Sequence, residues 1–290
     1  MVKHPVKVAI IPVAGRGTRM MPATKAVPKE LLPILEKPLL QYAIDEAKAA
    51  GIEYFIFVSS REKPLIEEHL RADPFYTQCL RNRGQSDLAD SFADGILAPH
   101  EYAILNQDAP RGLGHAVWCA REIIGQQPFA VLSPDDYILG ESCLKEMLQA
   151  YQYIPGDNMI AVMPVDKHAT KSYGIIQPGE VHGQLVNVTH VVEKPNPKQA
   201  PSNLAIIGRY ILQPQVMNVL AKHEIGVGGE IQLTDAFHPD KVGLKLWGTK
   251  FSGQRFDCGS LQGWLSANLA TAALDPVYSK VLRVRKSVAN

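Results

Sequence analysis

Residues 6–33 read VKVAIIPVAGRGTRMMPATKAVPKELLP, and the rest of the chain is interpreted outward from them. Residues 6–13 form a short apolar run rich in Val and Ile, the length of a buried strand. The turn Ala14-Gly15-Arg16-Gly17-Thr18 follows, and its two glycines let the backbone bend sharply and approach a ligand. Arg16, Arg19, Lys25 and Lys29 then place four cations within fourteen residues, interleaved with Pro22, Pro28 and Pro33. A solvated basic face is more usually helical and flexible. A rigid loop of glycine and fixed positive charge after a buried strand suits a polyphosphate.

Two common phosphate-binding spacings fail. The dinucleotide pattern Gly-x-Gly-x-x-Gly stops at Met20, which disfavours an NAD-binding dehydrogenase, and no Gly-Lys-Ser/Thr follows to make a P-loop. The run Gly15-x-Gly17-Thr18-Arg19-x-x-Pro22-x-Thr24-Lys25-x-x-Pro28-Lys29-Glu30-x-Leu32-Pro33 instead resembles the signature of the sugar-1-phosphate nucleotidylyltransferases. Residues 24–30, TKAVPKE, are similar to the uridylyltransferase branch of that family. The resemblance extends to about residue 259, with further matching stretches at 200–205 and 228–236.

Composition sets outer limits. With 290 residues and 46% apolar side chains there is ample core for one large α/β domain. A net charge of +1 and the lack of a Lys/Arg-rich block argue against a nucleic-acid partner. No apolar run approaches the ~18 residues of a membrane span. The first residues lead straight into the first strand without a small-residue cleavage site, so no leader is expected. Cys79, Cys119, Cys143 and Cys258 are scattered without a CxxC, as expected of reduced thiols in a cytoplasmic protein.

Strand and helix patterns alternate through the first half. Strands are expected at 6–13, 54–59, 102–105 and 128–132, and helices at 38–50, 63–70 and 117–124. Residues 71–100 are polar and irregular, either a helical excursion or an oligomer contact. After a helix at 143–151 the pattern changes. A strand at 159–164 precedes a hairpin, 173–177 with 184–193, turning around Pro178-Gly179 and His182-Gly183. Then come a strand at 203–212, helices at 216–222 and 230–237, strands at 245–247 and 254–256, and closing helices at 261–273 and 276–284. The expected fold is α/β: a Rossmann-like, doubly wound, mainly parallel mixed sheet with a sugar-side β-hairpin and helix insertion and C-terminal helices. The chain reads as a single domain over 1–290, with a nucleotide part at about 1–150, a sugar-phosphate part at about 151–260 and a helical segment at 261–290.

Four groups of residues carry the expected chemistry. The guanidinium of Arg19 can fork onto two phosphate oxygens, with Lys29 as a point charge on the same phosphate. The resemblance assigns both to catalysis, with Lys25 as a further nucleotide contact beside Gly17. Gln107 follows a strand and offers a donor and an acceptor to a base edge, and Gly112-Leu113-Gly114-His115-Ala116 reads as a turn that could lie against base and ribose. Gln107 and Gly114 are spaced as in the family's base-binding stretch, which also implies Ala14, Gly15 and Glu30 as base contacts.

Asp135 and Asp136 end a buried strand and Asp257 follows another. The Asp pair alone reads equally as a turn or a helix cap. The resemblance assigns Asp135 and Asp257 as Mg²⁺ ligands, in keeping with a hard cation that takes a few carboxylates plus phosphate oxygens and water. Gly174, Glu193 and Lys194 match the family's sugar-phosphate contacts: a carboxylate for sugar hydroxyls, an ammonium for the phosphate and a glycine for close approach. The Gly228-Gly229-Glu230 opening reads as a helix start lining the sugar side.

The function implied by the resemblance is transfer of a uridylyl group from UTP to glucose 1-phosphate, giving UDP-glucose and pyrophosphate, by a homodimer or homotetramer. A thymidylyltransferase is the nearest rival. A catalytically weak paralogue that binds nucleotide-sugar and regulates a true enzyme is the rival of another class, although Arg19, Lys29, Asp135 and Asp257 are all present.

Overall fold

A computed structural model describes residues 6–282. In chain order its strands are β1 (Val8–Pro12), β2 (Pro33–Ile34), β3 (Lys37–Pro38), β4 (Tyr54–Ser59), β5 (Tyr102–Asn106), β6 (Phe129–Leu132), β7 (Asp136–Leu139), β8 (Asn158–Pro164), β9 (Gly174–His182), β10 (Leu185–Glu193), β11 (Leu204–Leu212), β12 (Leu246–Thr249) and β13 (Gln254–Asp257). Nine of them make one sheet in the order β5-β4-β1-β6-β11-β8-β12-β10-β9. β5, β4, β1 and β6 run parallel, as the alternating first half demands. Beyond β6 the sheet is mixed, with β11 antiparallel to both β6 and β8 and β12 parallel to β8.

Each face of the sheet is covered. Ala9, Ile11, Phe57 and Leu132 point to the side packed by the helices Leu39–Ala49 and Cys143–Tyr151. Val8, Ile10 and Val131 point the other way, against Ala116, Val117 and Leu220. This is the period-two alternation of a strand buried on both sides. From β1 the chain passes to β4 on one side and later to β6 on the other. The strand order therefore reverses at β1, and a crevice opens at the carboxyl ends of the strands there.

A two-stranded ribbon outside the sheet, β7 with β13, was not apparent in the sequence pattern. Its register pairs Asp257 with Asp136 and Phe256 with Tyr137. It packs on Ile34, Leu39, Cys258 and Ala267, which draws the C-terminal helix Leu261–Leu274 against β2. Trp264 Nε1 donates to the Pro33 carbonyl at 2.9 Å, and Asn268 Oδ1 accepts from Leu35 N at 2.9 Å. Two stretches about 230 residues apart are thus locked beside each other.

Several local expectations are corrected. Residues 112–116 are not a turn: a helix starts at Leu113 and runs to Cys119, because Gly112 (φ 102°) makes the bend alone. Pro178-Gly179 does not turn the hairpin. β9 runs through it to His182 with shifts of register, and Gly183 (φ 64°) makes the turn. Glu230 is extended rather than helical, and the helix there spans only Leu233–Ala236. Residues 71–100 form two helices, Pro74–Asn82 and Ser86–Gly95, tied by Arg81 to Asp90 at 2.9 Å. Of the helix expected at 276–284, residues 278–282 are helical and the last two lie outside the described residues. Among the described residues no helix is long and apolar enough to cross a membrane.

Candidate active site

The glycine loop is built by short-range geometry. Gly17 sits in the left-handed region (φ 64°), and its carbonyl accepts from Thr24 Oγ1 at 2.8 Å. A Cβ at Gly17 would press on Lys29 Cβ and Thr24 Cγ2, both at 3.3 Å. A Cβ at Gly15 would lie 3.9 Å from Lys29 Nζ. The two glycines therefore let the loop fold onto the Lys29 side chain, and Lys29 reaches 2.6 Å from Asp135 Oδ2. Burial opposes charge on Lys29, but Asp135 and Glu30 outweigh it and hold the ammonium above the usual lysine range. Burial likewise opposes charge on Asp135, yet Lys29 outweighs it and holds the carboxyl below the usual range. Both groups are therefore charged at neutral pH.

Asp135 meets Asp257 through the β7–β13 ribbon. Cys258 N donates to the Asp135 carbonyl at 2.8 Å, and Gly259 follows. A Cβ at Gly259 would lie 3.0 Å from Asp135 Oδ2, 3.0 Å from Asp257 Oδ1 and 2.6 Å from Arg19 Nη2. Two carboxylate oxygens and one guanidinium thus converge on a point kept clear by a missing side chain. Arg19 Nη1 stands 4.0 Å from Asp257 Oδ2, with its side chain 65% exposed and free to turn to a ligand. Gly259 carries no local signal of a role, and only the fold shows what it faces. Gly259→Ala should keep the fold, since its backbone is not left-handed, and lower turnover roughly 10- to 100-fold by displacing the groups around it. Steady-state kinetics beside a melting curve would check this.

This convergence lines one wall of a cleft of about 740 Å³ that also holds Gly174, Glu193 and Lys194. Glu193 Oε2 accepts from Thr234 Oγ1 at 3.1 Å, and Glu193 Oε1 lies 3.3 Å from Lys194 Nζ. A Cβ at Gly174 would sit 3.1 Å from Glu193 Oε2, so this glycine too keeps a carboxylate accessible. Lys194 has φ 47°, a conformation L residues adopt rarely, and its amide donates to Tyr173 O at 3.0 Å. The strained backbone projects the ammonium beside the carboxylate at the strand end.

A second cleft, of about 470 Å³, is lined by Ala14, Arg16, Ser60 and Gln107. Gln107 is buried, and its Nε2 donates to Gly112 O at 3.1 Å and to His115 Nδ1 at 3.0 Å. Burial, then Arg111 and His223, hold His115 below the ordinary histidine range, which leaves the ring one acceptor nitrogen, and Nδ1 is the nitrogen that faces the Gln107 amide donor. Gln107 therefore has its donors committed and presents its carbonyl oxygen, rather than both functions as the sequence reading had it. His115 fixes which way the amide faces.

Three of the expected nucleotide contacts line neither cleft. Gly114 is buried, its N–H donates to Ile231 O at 2.9 Å, and a Cβ there would meet that oxygen at 2.8 Å. It is a packing glycine between the helix and the 230–232 segment. Glu30 is 1% exposed, and its Oε2 accepts from Lys63 Nζ at 2.8 Å while the same ammonium donates to Val13 O at 2.7 Å. Burial raises the Glu30 carboxyl and lowers the Lys63 ammonium from their usual ranges. Glu30 anchors the loop from behind instead of facing a base. Lys25 is exposed and lines neither cleft.

Arg209, unassigned by the sequence reading, supports the Asp135 turn. Its guanidinium donates to the carbonyls of Ser133 and Asp136, both at 2.9 Å, on either side of Asp135. Glu46, at 2.7 Å, neutralises it. Asp136 faces away from Asp135's partners: its Oδ2 accepts from Gly208 N at 2.6 Å, and its Oδ1 accepts from the Arg255 guanidinium, which also donates to Tyr173 OH at 2.8 Å. A single arginine in the otherwise apolar run LAIIGRYIL was the available signal, because a buried cation needs acceptors.

As a donor set, Asp135 and Asp257 offer oxygen alone, and both line the cleft that would admit phosphate oxygens and water. That fits a hard divalent cation such as magnesium.

The chain was compared with known proteins. The family model for nucleotidyl transferases matches residues 8–272. The UTP–glucose-1-phosphate uridylyltransferase of Komagataeibacter xylinus is 44% identical over 257 residues, covering 88% of this chain and 90% of that protein. The one from Bacillus subtilis (strain 168) is 42% identical over 272 residues, covering 93% and 92%. A crystal structure of UDP-glucose pyrophosphorylase complexed with UDP-glucose is 34% identical with a TM-score of 0.81, covering 92% of this chain and 98% of that one. The UTP-bound UGPase from Acinetobacter baumannii is 32% identical with a TM-score of 0.83, covering 98% and 99%.

Proposed function

Because the chain belongs to the nucleotidyl transferase family, we propose that it is an enzyme making UDP-glucose and pyrophosphate from UTP and glucose 1-phosphate. The observation that carries this reading is the convergence of Arg19, Lys29, Asp135 and Asp257 at one end of a cleft whose other wall presents Glu193 and Lys194.

The chemistry follows from the charges. A phosphate oxygen of glucose 1-phosphate attacks the α-phosphorus of UTP in line, an O–P bond forms, and the bond to the bridging oxygen of pyrophosphate breaks. The attacking oxygen is already ionised at neutral pH, so no general base is needed. Catalysis is then positioning and electrostatic stabilisation. Arg19, exposed and unencumbered, forks onto the phosphoryl oxygens. Lys29 offers its ammonium from the other side, exchanging part of its contact with Asp135 for the nucleotide. Asp135 and Asp257 are the residues that would hold magnesium, whose charge would offset that of the triphosphate. The Gln107 carbonyl oxygen accepts from the N3–H of uracil.

On the sugar side Glu193 accepts from glucose hydroxyls, and Lys194 holds the sugar phosphate. Glu193→Gln should raise KM for glucose 1-phosphate about 10- to 100-fold, the worth of a hydrogen bond to a charged group, and leave KM for UTP nearly unchanged. Initial rates with each substrate varied in turn would separate the two, and an equal rise in both would remove Glu193 from the sugar site.

All four cysteines are free, which supports a reducing, cytoplasmic setting. Leu261, Leu265 and Leu269 recur at four-residue spacing along the C-terminal helix, each about half exposed, which supports assembly as a homodimer or homotetramer.

A further inference from the structure

Away from both clefts, β10 and the segment 233–242 bring two imidazoles and a carboxylate together. Among the described residues, His190, His238 and Asp240 each place one donor atom within 4.8 Å of the others. His190 lies on β10 just after a shift in its register with β9. Such an irregularity re-aims a side chain. His238 precedes the helix Pro239–Val242, and Asp240 lies in that helix's first turn. His238 Nε2 is 2.9 Å from His190 Nδ1, with the rings nearly perpendicular at 82°, and His238 Nδ1 is 3.7 Å from Asp240 Oδ2.

We propose that His190, His238 and Asp240 form a binding site for a divalent ion of the zinc class, separate from the oxygen-lined catalytic cleft. The donor set is the argument. Two imidazole nitrogens and one carboxylate oxygen suit zinc and its neighbours in the transition series, leaving a coordination position for water. Magnesium, which prefers oxygen and keeps its own water, competes poorly for such ligands. Asp135 and Asp257 have the opposite preference. The two sites are thus distinguished by ligand hardness, and millimolar magnesium can serve the first without filling the second.

The position gives the ion a structural consequence. Three residues along β10 from His190 stands Glu193, and four residues before His238 stands Thr234, which donates to it at 3.1 Å. An ion held by His190 and His238 makes a second tie between the same two elements, replacing a ring-to-ring hydrogen bond with bonds to a cation. It fastens the wall of the cleft from its outer side.

The test uses the full-length protein stripped of metal with a chelator and returned to buffer with excess magnesium. Zinc titration by calorimetry should show one stoichiometric site per chain, and zinc should raise the melting temperature. Cobalt(II) in its place should give the visible absorption of a nitrogen- and oxygen-ligated ion. His190→Ala and His238→Ala should each abolish the binding, the zinc-induced shift and the absorption, while turnover without zinc stays at the wild-type level. Asp240→Asn should weaken zinc binding without removing it. No stoichiometric zinc binding, or binding and a thermal shift that survive the His190→Ala/His238→Ala double substitution, would overturn the proposal. Neither readout depends on the uridylyl-transfer reading, so the two can fail separately.

Discussion

Arg19→Ala should lower kcat by about 10³-fold while the melting temperature stays at the wild-type value. The thermal half of this expectation comes from exposure. The Arg19 side chain is 65% exposed, and its only ion pair among the described residues, with Asp257, is long at 4.0 Å, so little of the fold rests on it. The kinetic half comes from placement. Arg19 Nη2 shares with Asp135 and Asp257 the space above Gly259, where the charge of an attacked phosphoryl group would develop. A guanidinium delivers two parallel hydrogen bonds to phosphate oxygens, which a lysine cannot copy. Arg19→Lys should therefore recover only part of the loss. Rapid-quench or steady-state pyrophosphate release, with a melting curve on the same preparation, tests both halves. A near-normal kcat for Arg19→Ala would remove the residue from catalysis.

Asp135→Asn should have an effect of similar size, also about 10³-fold in turnover, for two coupled reasons. Its carboxylate is one of the two proposed magnesium ligands, and it also holds Lys29 Nζ at 2.6 Å. Asparagine keeps the size but loses the charge, which weakens metal binding and frees the Lys29 ammonium from its position. The magnesium concentration giving half-maximal rate should rise along with the fall in kcat. That joint change distinguishes loss of a metal ligand from simple misfolding, in which the surviving fraction would keep the wild-type magnesium dependence. The Lys29–Asp135 pair also sets a pH response. The Asp135 carboxyl is held below its ordinary range, so the stability the pair contributes is present above the unfolded-state value and is lost as pH falls through the lower folded-state value. Lys29 is held above its ordinary range, so its share is lost only as pH rises past that alkaline value.

What the sequence made legible was chemistry packed into short stretches. Arg19 and Lys29 lie in one proline-stiffened loop, and Gly174, Glu193 and Lys194 lie at the ends of adjacent hairpin strands, so local order nearly defines their surroundings. The parallel half of the sheet was legible for the same reason: β1 and β4 are short apolar runs bounded by turn residues.

What stayed hidden depends on contacts between distant segments. Gly114 looked like a base-side glycine because nothing local shows that Ile231 would press against it. Glu30 looked available until Lys63, thirty-three residues on, buried it. Arg209 works on carbonyls more than seventy residues away, and Gly259 matters only because the β7–β13 ribbon sets Asp257 opposite Asp136. Pro178-Gly179 carried the signature of a turn, but pairing with β10 on both sides drew it into the strand. In each case tertiary packing overrode a sound local preference.

The most direct test of the account is pyrophosphate release with glucose 1-phosphate and magnesium, run separately with UTP, dTTP, ATP, CTP and GTP. The expected result is turnover with UTP well above the purine nucleotides and CTP. UTP and dTTP differ by the base methyl and the ribose 2′-hydroxyl, and the methyl alone contributes about 10- to 200-fold to the margin in kcat/KM. Preference for dTTP would leave the mechanism and the Gln107 contact standing, since thymine carries the same N3–H, and overturn the assignment of UTP as the nucleotide. No release with any of the five nucleotides would contradict the central claim.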